Sequence, residues 1–278
     1  MRRVAPVLAC AVALAACSPA EAPDPRPVVA VSVVPQQYFV ERIAGDRVRV
    51  LVMIPPGANE ASYEPTLAQV RALSGALLYW AVGHPSFAFE RAWLDRILAD
   101  VRSLPVVDGS AGLDTRAGDP HVWVAPRHAE RMAIGIARAL GERLPAERAF
   151  FEANLAGFRE EIASLDAEIR AILAPMRVRS FLVVHPAFGY FAADYGLEQL
   201  AIEHEHKTPD AHQLAALLER ARALGLRVVY VQPQFDAAPA RTFAREIGAR
   251  VETLDPLAYD WPGNLRAIAR QLAAGAPE

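Results

Sequence analysis

Between Pro145 and Pro175, Phe151, Leu155, Phe158, Ile162, Leu165, Ile169 and Ile172 recur at alternating steps of four and three. That spacing lays one apolar stripe along a helix of about 28 residues, roughly 42 Å long at 1.5 Å per residue. Pro145 suits its first turn and Pro175 marks its end. Few small proteins carry so long a helix in mid-chain. Here it divides two stretches with a different pattern, and a strut joining two lobes accounts for both its length and its position.

On either side, short apolar runs alternate with helical segments. In the first half the runs are Val28 to Val34, Val48 to Ile54, Leu77 to Val82 and Leu104 to Asp108, with helices near Gln37 to Ala44, Thr66 to Ser74 and Phe87 to Ala99. In the second half the runs are Ser180 to Val184, Leu200 to Ile202, Arg227 to Val231 and Arg250 to Leu254. Helices are expected there at Phe188 to Tyr195, Ala211 to Leu224, Pro239 to Ile247 and Asn264 to Ala274. Continuous apolar runs mark strands buried on both faces, and their alternation with helices implies parallel sheets. The expected fold is therefore α/β, with two lobes, each a mainly parallel sheet flanked by helices, bridged by one long rigid helix. Ligands in such sheets bind beyond the carboxyl ends of the strands, which directs attention to the cleft between the lobes.

The first residues divide differently. Arg2 and Arg3 precede an apolar run to Ala16 that is too short to span a bilayer and suits a signal peptide. Leu14-Ala15-Ala16-Cys17 resembles a bacterial lipobox, which implies acylation of Cys17 and removal of residues 1–17. Residues 18–27, rich in Pro, Ala and acid, read as a flexible tether. The lobes then occupy 28–144 and 176–278, with the linking helix over 145–175. Cys10 falls inside the signal, so the mature chain has no disulfide and no thiolate metal site. A net charge of -3 implies no nucleic-acid partner.

Two of the seven histidines sit where this fold places ligands. His185 follows a strand and precedes Pro186, and His121 lies in the late first-lobe loop Asp119-Pro120-His121-Val122-Trp123. Asp255 ends the last strand and precedes Pro256, repeating the device of a polar side chain stiffened by the next proline. Two imidazoles and a carboxylate facing one cleft suit a divalent transition metal. His84, in a first-lobe strand-to-helix loop, is a lesser candidate. Glu203-His204-Glu205-His206-Lys207-Thr208 reads as a solvated loop with the alternative of a place near the cleft. His128 and His212, at helix starts, read as surface residues.

The segments DPHVWVAP (119–126), YEPT (63–66), VVHPAFGYFAADYGL (183–197), VVYVQPQF (228–235) and TLDPLAYDW (253–261) resemble, in order, the zinc- and manganese-binding solute-binding proteins of ABC importers, the ZnuA/TroA-like family. The resemblance covers essentially the whole mature chain. It implies an extracytoplasmic or periplasmic, membrane-anchored lipoprotein, monomeric, that captures a metal between its lobes and delivers it to an ABC permease. It implies His121, His185 and Asp255 as ligands. Zinc is the favoured metal, with manganese or iron as alternatives. The family's first histidine falls on Ala61, which cannot bind metal, and the histidine-rich loop of many zinc members is missing. Three outcomes stand open: water fills the position; Glu60, Glu64 or His206 replaces the histidine; or metal binding is weakened, leaving an accessory lipoprotein. A metal-dependent hydrolase or oxygenase would use a similar ligand set, but no nucleophile or substrate motif accompanies it.

Overall fold

The computed structural model describes residues 24–203 and 210–277. The lipobox, the first part of the tether and His206 lie outside these residues. The first lobe runs β1 (Val28–Val31), α1 (Val34–Ala44), β2 (Arg49–Val52), α2 (Leu67–Ala72), β3 (Ala76–Ala81), α3 (Ala88–Asp100), β4 (Val106–Asp108) and α4 (Pro126–Arg143). The 26-residue α5 (Arg148–Leu173) follows. The second lobe runs β5 (Ser180–Val183), α6 (Gly189–Asp194), β6 (Glu198–Ala201), α7 (Ala211–Ala223), β7 (Val228–Val231), α8 (Ala238–Ile247), β8 (Arg250–Thr253) and α9 (Trp261–Gly275).

The two sheets share one topology. Their strand orders are β2-β1-β3-β4 and β6-β5-β7-β8, and every pairing is parallel. In each, the chain moves outward from the first strand and then crosses to its other side. That reversal opens a crevice at the strands' carboxyl ends. The second sheet shows how two-sided burial arises. Phe181, Val183, Val228 and Tyr230 face a core shared with α5 and α9, while Leu182, Val184, Val229 and Val231 face α7 and α8. Successive side chains point to opposite faces, so both faces must be apolar.

The bridging helix behaves as its stripe predicts. Phe151, Phe158, Ile162, Leu165 and Ile169 are buried, each contributing about 1.5–3 kcal/mol of apolar transfer. They belong to one cluster that includes first-lobe Phe39 and Ile43 and second-lobe Phe188, Trp261 and Leu265. The lobes therefore share a core. Among the described residues, no helix is long and apolar enough to cross a membrane.

Candidate metal site

The side chains that converge are carried by the segments that follow β2, β4 and β5. After β2, the chain turns at Pro55-Pro56-Gly57, with Gly57 at φ +82°, a conformation that favours glycine. Asn59 then shapes the next turn. Its Oδ1 accepts the amide of Ala61 at 2.8 Å, and its carbonyl accepts the amides of Ser62 at 3.2 Å and Tyr63 at 2.9 Å. This turn buries Glu60, which is 5% exposed, and turns Ala61 and Glu64 out to solvent. Tyr63 donates its hydroxyl to Gln69 Oε1 at 2.8 Å, and Gln69 Nε2 donates to the carbonyl of Met53 at 2.8 Å. The loop is thereby tied to α2 and to the strand end that precedes it.

His121 follows β4 and is 2% exposed. Asp119 Oδ1 accepts both its main-chain amide, at 3.0 Å, and its Nδ1–H, at 2.8 Å. That fixes the ring and leaves Nε2 facing Glu60 Oε1 at 2.8 Å and His185 Nε2 at 3.4 Å. Burial alone would lower the His121 imidazole's pKa, but hydrogen bonds and charge from Asp119 and Glu60 outweigh it and raise it to about 9. Burial likewise opposes ionisation of Asp119, yet its bonds to His121 hold that carboxyl below its ordinary range. The pocket thus stabilises positive charge where Nε2 lies.

His185 follows β5. Gln232 Nε2 donates to its carbonyl at 2.6 Å, and its own amide reaches Gln232 Oε1 at 3.4 Å. Phe235 stacks on its ring with centroids 4.6 Å apart and planes inclined by 17°. Glu203 Oε2 lies 3.5 Å from Nδ1.

Glu60, His121 and His185 therefore bring one ligand atom each to within 4.8 Å of one another, and all three are buried. Two nitrogens on a tetrahedral zinc at about 2.0–2.1 Å stand roughly 3.3 Å apart. The two Nε2 atoms already have that separation, whereas Glu60 sits at hydrogen-bonding distance from His121 and must draw back by about half an ångström to accommodate an ion. The donor set of two imidazoles and one carboxylate fits zinc.

The other candidates fall elsewhere. Asp255 is not in the group of three. Its Oδ1 accepts Gln234 Nε2 and the amide of Leu257, both at 2.9 Å. Glu64 is exposed and does not join. His84 uses both ring nitrogens, accepting from the Ser86 amide at Nδ1 (3.1 Å) and donating from Nε2 to the Arg116 carbonyl (3.0 Å). His212 is exposed as expected, but His128 is not a surface residue: it is 3% exposed. Its ring packs edge-on against Tyr190 of α6 with centroids 4.9 Å apart, because the start of α4 faces the second lobe.

Asp119 and Gln232 had no assigned role in the sequence. A signal existed for each. Asp119 is two residues before His121, within reach of its ring. Gln232-Pro233 follows β7 as His185-Pro186 follows β5, a third instance of the same strand-end device.

Comparison with known proteins adds an independent line. The family model described as zinc-uptake complex component A, periplasmic, matches residues 29–275. The zinc-binding lipoprotein AdcA of Streptococcus pneumoniae (strain ATCC BAA-255 / R6) is 27% identical over 286 residues, covering 92% of this chain and 56% of that protein. The chain thus spans little more than half the length of this relative. A crystal structure of ZnuA superposes with a TM-score of 0.86 at 40% identity, covering 90% of this chain and 99% of that one. A zinc-bound ZnuA carrying a deletion of residues 138–173 in its own numbering gives a TM-score of 0.86 at 39% identity, covering 91% and 99%.

Proposed function

Because the chain belongs to the family of zinc-uptake complex component A, a family of substrate-binding transport proteins rather than enzymes, we propose that it captures zinc between its two lobes and delivers the ion to the permease of an ABC importer. One observation carries the reading: Glu60 and His121 from the first lobe and His185 from the second converge in a buried, cation-stabilising cluster. Glu60 takes the place of the histidine that the family pattern puts at Ala61, and water completes the coordination. His121 is held ready by Asp119, which fixes the ring so that Nε2 meets the ion. Because the ligands come from both lobes, binding ties the lobes together, and release follows when the permease displaces one lobe's loops.

In the same reading the chain works outside the cytoplasmic membrane as a monomer, anchored by lipid on Cys17. The alternative of an accessory lipoprotein with weakened metal binding leaned on Ala61. Glu60 in the cluster favours retained metal binding over that alternative. Metal analysis of protein purified without chelator tests the proposal. About one equivalent of zinc, lost in both His121→Ala and His185→Ala, is the expected result. A wild-type protein that takes up no zinc at micromolar exposure would refute it.

A further inference from the structure

We propose that Gln234 sets the metal preference of the site by holding Asp255 out of the ligand set. The inference rests on Glu60, His121 and His185 being the ligands. Asp255 is linked to His121 through its neighbours: the carbonyl of the next residue, Pro256, accepts Trp123 Nε1–H at 2.7 Å, and Trp123 packs against the His121 ring with centroids 5.4 Å apart. The backbone of Asp255 is fixed, since its carbonyl accepts Asn264 Nδ2–H at 2.7 Å. Its side-chain torsions therefore decide where the carboxylate goes.

Two donors hold that carboxylate at Oδ1, the local Leu257 amide and Gln234 Nε2–H, both at 2.9 Å, and Gln234 is the one that reaches in from another loop. The Gln234 hydrogen bond is strengthened by the acceptor's charge. The other end of the amide, Oε1, is buried and meets no donor among the described residues. Among the described residues, the link to Asp255 is thus the side chain's one amide hydrogen bond. The main-chain carbonyl of Gln234 reaches across the cleft to accept Asn59 Nδ2–H at 3.3 Å, joining the turn that carries Glu60. The two contacts are separable, because shortening the side chain of Gln234 leaves its carbonyl in place.

The chemistry gives the separation a consequence. Two imidazoles, one carboxylate and water make a four-coordinate set that favours zinc. A second carboxylate makes the set harder and raises its coordination number, which suits manganese better. Freeing Asp255 therefore moves the site away from zinc.

The test compares wild type, Gln234→Ala, Asp255→Asn and the double variant, using zinc–manganese competition and the visible absorption of the Co2+-loaded proteins. In Gln234→Ala the zinc-over-manganese preference is expected to fall by about tenfold, within the range for outer-shell changes. Its Co2+ bands should weaken as coordination rises above four. Adding Asp255→Asn should restore both readouts, because the effect passes through that carboxylate. Gln234→Glu, which repels Asp255 without opening space, should move both in the same direction as Gln234→Ala. Unchanged preference and spectrum in both Gln234 variants would overturn the proposal, as would a shift that persists with Asp255→Asn. A wild type that binds no metal overturns the ligand assignment and this inference with it, whereas a metal-binding wild type with unresponsive variants overturns this inference alone.

Discussion

Tyr190 of the second lobe donates its hydroxyl to the main-chain carbonyl of Asp119 in the first lobe at 2.8 Å, and the same oxygen accepts the amide of Arg116 at 2.8 Å. One phenol thereby clips both ends of the loop that leads into His121. Tyr190→Phe keeps the ring but leaves a carbonyl and an amide without this partner. Zinc affinity should fall by about tenfold, measured by chelator competition. Stability should fall by only about 1–2 kcal/mol in denaturant unfolding.

The two acids of the first loop should separate cleanly. Glu60 is in the cluster and Glu64 is in solvent. Glu60→Ala should weaken zinc binding by more than about a hundredfold, beyond the effect of an outer-shell partner. Glu64→Ala should leave the affinity of the titrated protein unchanged.

His128 predicts a dependence of stability on pH. Burial, aided by the nearby Arg127 charge, lowers its imidazole from 6.5 to about 4. Between those values the unfolded chain holds a proton that the folded chain lacks. Stability from this residue is therefore complete above pH 6.5 and declines as the pH falls towards 4, by about 1.4 kcal/mol per unit inside the window. Urea unfolding at pH 7, 6 and 5 should show the slope in wild type and a shallower one in His128→Phe, which retains a ring against Tyr190.

The shared core predicts a small closing motion. The α5 stripe packs against residues of both lobes at once, so a wide hinge would expose apolar surface. Small-angle scattering should give nearly the same radius of gyration with and without zinc. A change of several ångströms would mean that the lobes swing.

The apolar runs made the inner strands β1, β3, β5 and β7 plainly legible, because inner parallel strands have little room for polar residues, whereas the edge strands β6 and β8 carry Glu198, Gln199, Arg250 and Glu252 and gave a weaker signal. Strand ends were less legible. The first run continues to Val34, but Pro35 opens α1 at once and the strand stops at Val31. Helix α4 is not among the expected helices, although Met132, Ile136 and Leu140 recur every four residues on its buried side beside the small Ala129, Ala133, Ala137 and Gly141. Such small side chains carry a weak hydrophobic signal while allowing close helix packing. His185 stands just past a strand and His121 in a late first-lobe loop, but position alone gave them a weak signal, and it was the family resemblance that singled them out. The choice of Glu60 over Ala61 was not readable, because it depends on which way the Asn59 turn rotates the next two residues. Nor was the hold on Asp255, which a glutamine in another loop shares with the Leu257 amide.

The indole bonds of Trp123 and Trp261 make the first lobe depend on residues near the end of the second. Trp261 Nε1–H donates to the carbonyl of Trp123 at 2.7 Å, and the Trp261 ring lies 5.1 Å from Phe39 of α1. Helix α1 is thus covered by α9. A chain terminated before residue 261 leaves the first lobe with an open apolar wall, and the Asp255–Pro256 loop without its anchor beyond. Copies truncated there should be sticky and open to proteolysis rather than quietly half-active.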